Sequence, residues 1–218
     1  VFTMIGESHL EGFGTVENVA AEKSALAKHV RPGGVVVART ADEVLLRLLR
    51  GLGHPIVTFG ESPADEVRIT ELAVHPEGLR FTVNNRFPFA LPVLGRHNAR
   101  NALAAIVVAR RMGLDMAEIA ERFRSFTLPA MRLGLERIGR FTVLNDAYNA
   151  NPRSMAAALE TLVELAQPGR RVFLCGDMLE LGEGSEEFHL EIGRAVAAKG
   201  VDVLVTVGER AAAVARSA

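Results

Sequence analysis

The sequence predicts an α/β protein of two units, with a small antiparallel sheet inside the first. Three observations lead to this prediction. Short β-branched runs alternate with amphipathic helical stretches early in the chain and again toward its end. Three short strand patterns separated by turn sequences interrupt that alternation between residues 67 and 94. Pro129 then ends a helical stretch, which puts the boundary between the units after residue 129.

The first unit, residues 1–129, opens with the alternating pattern. Its strands are expected in VFTMI, GGVVVA and PIVTFG, and its helices at residues 16–29 and 42–52. The runs VRITELAV, GLRFTVN and FPFALPVL, separated by HPEG and NNR, predict an antiparallel meander. Two further helices are expected at residues 98–112 and 116–126, the second with Asp115 as its N-cap.

The second unit, residues 130–218, begins with the strand pair LGLERI and FTVLN. Pro152 suits the first turn of a helix that runs to about Ala166, and QPGRR forms the next turn. The strand VFLCG, a helix capped by Ser185 that runs to Lys199, and the strand VDVLVTVG complete the pattern. This order predicts a parallel βαβ arrangement, in which binding sites collect at the carboxyl ends of strands.

Composition limits the classes of function. The chain has 218 residues, 49% of them hydrophobic, and a formal net charge of -1, which gives no electrostatic reason to expect nucleic acid. No apolar run approaches the roughly 18 residues that span a bilayer, so a soluble protein without membrane insertion is expected. Cys175, the single cysteine, lies in the apolar run RRVFLCG and is expected to be buried in a strand, which fits a reducing cytoplasm.

An unusually polar turn, LNDAYNANPRSM, follows the strand FTVLN at residues 144–155. Asparagine and aspartate side chains commonly cap helices and stabilise turns, so each residue alone has an ordinary structural explanation. One cap leaves the remaining amides, the carboxylate and the phenol without a structural task. Asp146 at a strand end is therefore also a candidate to accept hydrogen bonds from a ribose.

Two further groups of residues are candidates for a site. His9 directly follows the first predicted strand, and Lys23 lies on the helix that begins near Val16. A lone histidine or a lone helical lysine is more often structural or solvated than functional. Asn98 and Asn101 are three apart at a helix start, so they share a face that could cap the helix or contact a purine edge.

Four motifs in order, HLEGFG, G-x-HN-x-x-NALAA, NDAYNANP and GDMLELG, resemble the Mur ligase family of ATP-dependent amide ligases in peptidoglycan synthesis. YNANPxSM followed by GDMLELG is similar to the branch that adds D-alanyl-D-alanine to UDP-N-acetylmuramoyl-tripeptide. A related ligase with another acceptor, such as a folate, is the alternative. For the chain by itself, a non-catalytic nucleotide-binding module is a third hypothesis.

The resemblance also implies an architecture. Residues 1–129 are expected to be the latter part of a P-loop-type ATPase central domain, and residues 130–218 the first part of a Rossmann-like C-terminal domain. No G-x-x-x-x-G-K-[ST] motif occurs in the sequence. The chain, which opens directly in a strand-like run, is therefore expected to be a fragment lacking an N-terminal UDP-binding domain and the P-loop, and inactive by itself.

The resemblance further assigns roles in the first unit, with ATP and Mg²⁺ as the expected nucleotide and cofactor. His9 resembles a histidine that ligates magnesium. Lys23 resembles a lysine carbamylated by carbon dioxide, which turns a cation into an oxygen ligand suited to magnesium. This modification requires the amine to lose its proton, so a partly buried lysine is expected. Asn98 and Asn101 resemble residues beside the adenine.

In the second unit the resemblance assigns Arg132 to the ATP phosphates and Asp146 to the ribose. Tyr148, Asn149 and Asn151 are expected to line the same cleft and to contact substrate. ATP is then expected to bind between the two units, and closure of the units to complete the site.

Several residues receive no settled role from the sequence. The GDMLELG motif, Gly176 to Gly182, could serve the D-alanyl-D-alanine site or could only shape a turn and the entry to a helix. His189 could be a functional neighbour of Glu186 and Glu187, although a helical surface position is the more ordinary interpretation. Residues 39–41 read Arg-Thr-Ala where many relatives have Asn-x-Asp, and no role is assigned to them.

Overall fold

The computed structural model describes residues 1–7, 9–165 and 169–218. Their contacts form two compact units, one of residues 1–6 and 15–127 and the other of residues 7–14 and 128–218. The short segment 7–14 therefore packs with the later unit although it lies early in the chain. The domain boundary after residue 129 stays a prediction.

The α-helices of the described residues are, in chain order, α1 (Leu10–Phe13), α2 (Val16–Ala25), α3 (Glu43–Arg50), α4 (Arg96–Arg111), α5 (Met116–Arg124), α6 (Pro152–Glu164), α7 (Ser185–Ala198) and α8 (Ala212–Ser217). Their strands are β1 (Val36–Arg39), β2 (Ile56–Gly60), β3 (Val67–His75), β4 (Gly78–Val83), β5 (Phe87–Leu91), β6 (Gly134–Ile138), β7 (Phe141–Asn145), β8 (Val172–Gly176) and β9 (Val203–Val207). Mixed α/β structure, as the sequence predicted, is confirmed.

The first unit contains a five-stranded sheet in the order β1-β2-β3-β4-β5. β1, β2 and β3 pair in parallel, whereas β3, β4 and β5 pair antiparallel. The predicted meander is therefore confirmed. The predicted first strand, VFTMI, is wrong, because only Phe2 makes an isolated parallel bridge, to Ala38.

Helices of this unit bury the apolar positions that their sequence period predicts. In α3 these are Leu45, Leu46 and Leu49, which share one face of the helix. Leu103 and Ile106 of α4 are fully buried in the same way. The α5 helix begins as predicted, since the Asp115 carboxylate accepts the backbone N–H of Glu118 at 2.8 Å.

The second unit contains two separate pairs of strands. β6 and β7 form an antiparallel hairpin, and β8 and β9 pair in parallel with α7 between them in sequence. In the described part of the chain β7 pairs with β6 and not with β8. The polar turn therefore follows a hairpin strand, which corrects the prediction that it lies at the end of a strand in the parallel sheet.

The core of this unit lies on one face of β8. Its buried residues are Met155, Leu159, Phe173, Cys175, Met178, Leu181, Ile192, Val196 and Val214. Burial of Cys175 in a strand is thus confirmed. Burial raises the pKa of the Cys175 thiol to about 11, so this residue behaves as a small apolar side chain.

Two sequence predictions for this unit concern the ends of helices. Ser185 is not the cap of α7: it is the first helical residue, Gly184 occupies the cap position, and the Ser185 hydroxyl is buried with no hydrogen-bond partner among the described residues. The predicted helix end at Ala166 and the first two residues of the QPGRR turn lie outside the described residues. Within the described ranges, no helix is long and apolar enough to cross a membrane.

Candidate functional site

The β6–β7 hairpin brings together the segments at its open end, residues 131–133 before β6 and the polar turn after β7. Gly134 pairs with Asn145, so the flanking residues meet directly. The Leu133 N–H donates to Oδ1 of Asp146 at 3.1 Å. The Tyr148 N–H donates to the Met131 carbonyl at 3.2 Å. Two hydrogen bonds thus fix the polar turn against the segment that carries Arg132.

Arg132 lies just before β6, at this end of the hairpin. Its guanidinium lies over the ring of Tyr148, 3.9 Å from the centroid, in a cation–π contact. Its neighbours Met131 and Leu133 have φ of 58° and 51°, a left-handed conformation that is uncommon for residues other than glycine. Backbone strain of this kind clusters at binding and catalytic sites. The structure therefore brings Arg132, Asp146 and Tyr148 together.

The electrostatics of Asp146 reflect its position between solvent and the hairpin. Partial burial is the largest influence and raises the pKa of its carboxyl group. The hydrogen bond from Leu133 and the positive charge of Arg132 oppose this effect without cancelling it. The result is a carboxylate with one oxygen anchored to backbone and a cation beside it.

The two asparagines later in the turn have structural partners. Asn151 accepts the Ser154 N–H at 2.9 Å, and the Ser154 hydroxyl accepts the Asn151 N–H at 3.0 Å. This reciprocal pair is a capping box at the start of α6, with Pro152 in the first turn as predicted. Asn149 accepts the N–H of Ala150 at 2.9 Å. The ordinary structural explanation of the polar turn thus accounts for these two amides.

His9 lies at the N-cap of the short helix α1. Its Nδ1 contacts the carboxylate of Glu180, a residue of the GDMLELG motif. The Glu180 carbonyl also accepts the N–H of Glu11 at 3.1 Å. Sequence reasoning noted the motif but missed Glu180 as a partner, and the only sequence signal was an acidic residue inside a motif with no settled role.

A second contact joins the segment 7–14 to α6. The Glu7 carboxylate lies 2.9 Å from Nε of Arg153. Burial, the largest influence, raises the pKa of Glu7, but the hydrogen bond and charge of Arg153, with a local backbone hydrogen bond, outweigh it and leave the pKa below its ordinary value of 4.5. Because Arg153 lies two residues after the Asn151 cap, the segment that carries His9 is in contact with the start of α6, next to the polar turn. Sequence reasoning also missed Glu7 and Arg153.

Hydrogen bonds hold the GDMLELG motif in place, one of them to a buried histidine. His189 is fully buried, so the prediction of a helical surface position is wrong. Its Nε2 accepts the Met178 N–H at 3.0 Å, and its Nδ1 lies 2.6 Å from the Ser185 carbonyl. Asp177 accepts the N–H of Ala211 at 2.7 Å. These bonds give the first residues of the motif a clear structural role.

The candidate residues of the first unit are exposed or make only a local contact. Lys23 is exposed near the end of α2, so the expectation of a partly buried lysine is wrong for this structure. Asn98 is partly buried and donates through Nδ2 to the Leu94 carbonyl at 2.7 Å, a local contact at the start of α4. Asn101 is exposed on the same helix. That these residues contact the same bound nucleotide as Arg132 and Asp146 stays a prediction.

A metal site requires side chains that can act as ligands. The part of the chain that the structure describes contains no group of three or more histidine, cysteine, aspartate or glutamate side chains suited to a metal ion. The imidazole of His9 is one candidate ligand, and its Nδ1 contacts the carboxylate of Glu180. Magnesium commonly takes only one or two protein ligands and completes its shell with water and substrate phosphates. A sparse site of that kind fits these residues, whereas an all-protein metal cage does not.

Comparisons with known families cover most of the chain. The model of the Mur ligase middle domain matches residues 1–109, and the model of the Mur ligase glutamate ligase domain matches residues 131–218. Among curated proteins, the UDP-N-acetylmuramoyl-tripeptide--D-alanyl-D-alanine ligase of Bacillus subtilis is 32% identical over 220 residues, which cover 100% of this chain and 48% of the relative. The Escherichia coli enzyme of the same name is 31% identical and covers 96% and 47%.

Solved structures agree with these relatives. MurF from Acinetobacter baumannii superposes with a TM-score of 0.89 at 30% identity, covering 99% of this chain and 48% of that protein. MurF from Thermotoga maritima, solved with ADP, gives a TM-score of 0.83 over 96% and 49%, and its 23% identity shows a shared fold alone. The chain spans about half the length of the curated relatives that it matches.

Proposed function

The chain belongs to the Mur ligase family, and from this premise we propose that it supplies part of an ATP-dependent ligase that joins D-alanyl-D-alanine to UDP-N-acetylmuramoyl-tripeptide. The relatives of about 30% identity that carry this name support the choice of acceptor. The activity belongs to a protein of the relatives' full length, in which this chain forms the latter part of the central domain and the beginning of the C-terminal domain.

One observation carries the proposal, the cluster of Arg132, Asp146 and Tyr148 at the open end of the hairpin. It combines a fixed guanidinium, a carboxylate anchored by a backbone N–H and an exposed aromatic ring. A guanidinium fork suits phosphate oxygens, and a carboxylate suits ribose hydroxyls. Strained backbone on both sides of Arg132 indicates that its position is maintained for a purpose other than stability.

The proposed reaction has two steps, and negative charge on oxygen atoms must be stabilised in them. The substrate carboxylate attacks the γ-phosphorus of ATP, which releases ADP and forms an acyl phosphate. The amine of D-alanyl-D-alanine then attacks the acyl carbon, loses a proton and displaces inorganic phosphate, leaving an amide bond. Arg132 stabilises charge on the phosphate oxygens during the first step, and Asp146 orients the ribose.

Further roles are proposed for residues of the first unit and of the segment 7–14. Asn101, with Asn98 beside it, contacts the adenine. His9 binds magnesium through its imidazole, and Lys23 contributes an oxygen ligand if it is carbamylated. Magnesium held there would neutralise negative charge on the nucleotide phosphates. Tyr148 lines the cleft together with Asn149 and Asn151, whose amides also shape the turn.

The setting of the proposed reaction follows from its substrates. A nucleotide-linked precursor and free ATP are cytoplasmic metabolites, so we place the enzyme in the cytoplasm, as part of peptidoglycan synthesis and hence of cell shape and division. The net charge of -1 gives no electrostatic reason to expect nucleic acid as a partner.

The test is phosphate release by the full-length protein with ATP, Mg²⁺, UDP-N-acetylmuramoyl-tripeptide and D-alanyl-D-alanine. Release that depends on all four components is the expected result. Asp146→Ala is expected to weaken nucleotide binding, measured by calorimetry, whereas Glu209→Gln, an exposed acid of the same unit, is the matched control. Turnover that does not depend on the dipeptide contradicts the proposal.

An acceptor screen separates this function from the other ligases of the same scheme. Turnover with a single amino acid or a folate, and none with D-alanyl-D-alanine, assigns the chain to a related ligase instead. The non-catalytic module is an alternative for the chain by itself, and ATP turnover by the 218-residue chain would contradict it.

A further inference from the structure

The loop of Gly176 to Gly182, here called the motif loop, forms a seat for the short helix α1. Its Glu180 contacts α1 twice, through the carboxylate to Nδ1 of His9 and through the carbonyl to the N–H of Glu11 at 3.1 Å. Gly182 lies close as well, since a Cβ there would stand 3.5 Å from the backbone of Glu11. The loop therefore contacts both the side chain of His9 and the backbone that follows it.

Both partners of the side-chain contact have unusual backbone conformations. His9 has φ of 58° and Glu180 has φ of 60°, in the left-handed region that side chains disfavour. Such conformations persist only where the surroundings determine them. The motif loop has that support on its other side, where Met178 is bonded to His189 and Asp177 to the N–H of Ala211.

Stability does not explain the contact. The side chains of His9 and Glu180 are 60% and 59% exposed, and exposed ion pairs contribute little to folding. A carboxylate on one ring nitrogen of histidine has another effect, which is to select the tautomer and fix the ring. With the proton on Nδ1, the lone pair of Nε2 is left as the ligand.

We propose that Glu180 is the positioning residue of His9: its carboxylate accepts the Nδ1–H of His9 and presents Nε2 to a divalent cation bound with the nucleotide. This inference rests on the proposed function, in which His9 is a magnesium ligand. It gives the motif loop a specific task in the ligase, because the loop comes from the later part of the chain and orients a ligand from the early part. Asp177 and His189 act indirectly, by anchoring the loop.

The first experiment reads the tautomer of His9 in the full-length protein by ¹⁵N NMR of its imidazole at about pH 8, where histidines are mostly neutral. His9→Gln identifies the signal by removing it. We expect Nδ1 to carry the proton in the wild type and in Glu180→Gln, whose amide oxygen still accepts. In Glu180→Ala we expect the proton to redistribute toward Nε2. A wild-type proton on Nε2, or an unchanged spectrum in Glu180→Ala, overturns the proposal.

The second experiment measures Mn²⁺ affinity by calorimetry in the presence of ADP. Loss of a carboxylate partner of a metal-binding histidine typically weakens metal binding by about 10- to 100-fold, and we expect this for Glu180→Ala. Glu180→Gln is expected to restore most of the affinity, and Glu183→Gln, an exposed residue of the next turn, to leave it unchanged. Equal affinity in wild type and Glu180→Ala overturns the proposal. Phosphate release that does not depend on D-alanyl-D-alanine contradicts only the proposed function. The proposal for Glu180 is tested separately, because the tautomer of His9 is measured without substrates.

Discussion

The imidazole of His189 accepts the backbone N–H of Met178 at 3.0 Å in a fully buried setting. Its other ring nitrogen faces the Ser185 carbonyl at 2.6 Å, so Nδ1 donates and Nε2 accepts. The neutral ring thus joins the start of α7 to the GDMLELG loop. This relationship connects the core of the second unit to the loop that contacts His9.

Replacing His189 by leucine is expected to destabilise the protein by about 1–3 kcal/mol, because the buried Met178 N–H then has no acceptor. Urea unfolding monitored by circular dichroism measures the change. His29→Ala, at an exposed position, is the control and is expected to change stability by less than about 0.5 kcal/mol. Wild-type stability in His189→Leu would show that the hydrogen bond is dispensable.

Asp146 predicts a pH dependence of stability. Its pKa is raised in the folded state, above the ordinary value of 3.8, so the folded protein binds a proton more readily than the unfolded chain. The stability contributed by this proton is fully present below pH 3.8 and is lost as pH rises through the folded pKa. Asp146→Asn removes the titration and keeps an acceptor for Leu133.

The check on Asp146 is a series of urea midpoints for wild type and Asp146→Asn from about pH 4 to pH 7. The wild type is expected to lose stability relative to the variant as pH rises through the start of this range. A difference that is constant with pH, or of the opposite sign, contradicts the raised pKa.

The pair of Glu7 and Arg153 predicts a pH dependence of stability with the opposite sign to that of Asp146. The pKa of Glu7 lies below its ordinary value of 4.5, so its contribution is present above pH 4.5 and is lost as pH falls through the folded pKa. Glu7→Gln and Arg153→Gln are each expected to loosen the segment 7–14, because both remove the same contact. Hydrogen exchange of the α1 amides measures this loosening.

A double-mutant cycle on this pair isolates the contact. For side chains that are only partly exposed, a coupling of about 0.2–1 kcal/mol is expected at neutral pH, and it should vanish in acid. Arg194→Gln, which removes an exposed ion pair with Glu187 on α7, is the control and should leave α1 exchange unchanged. Additive effects of the two substitutions on α1 would rule out the contact as an anchor.

Substitutions of Arg132 separate the effect of its charge on nucleotide affinity from the effect of its planar shape. Arg132→Lys keeps the positive charge but loses the planar fork and the stack on Tyr148. We expect nucleotide affinity of the full-length protein to fall in Arg132→Lys and further in Arg132→Met, by about 10-fold for each 1.4 kcal/mol lost. Calorimetry with ADP measures both. Arg137→Lys, on β6, is the matched control, and equal affinity in all variants removes Arg132 from the nucleotide site.

Cys175 predicts chemical protection. Burial raises the pKa of its thiol to about 11, and the thiolate is the reactive form. Alkylation at about pH 8 is therefore expected to be slow in the folded protein and fast in urea. Mass spectrometry of the alkylated peptide measures both rates, and equal rates would contradict burial of the thiol.

The sequence by itself determined the features that depend on local pattern. The α/β alternation, the meander, the β6–β7 hairpin, the Asp115 cap and the place of Pro152 all follow from residue period and turn chemistry. Each involves residues close together in the chain, so the physical cause is visible in a short window. The four ordered motifs likewise indicated the family before any geometry was known.

Only the tertiary structure decided which polar side chains meet. His9 and Glu180 are 171 positions apart, and Glu7 and Arg153 are 146 apart, so no local pattern could pair them. The burial of His189 and the exposure of Lys23 were misjudged for the same reason, because a helix period does not say which neighbour covers a face. Side-chain hydrogen bonds between distant residues depend on packing, and packing is a property of the whole unit.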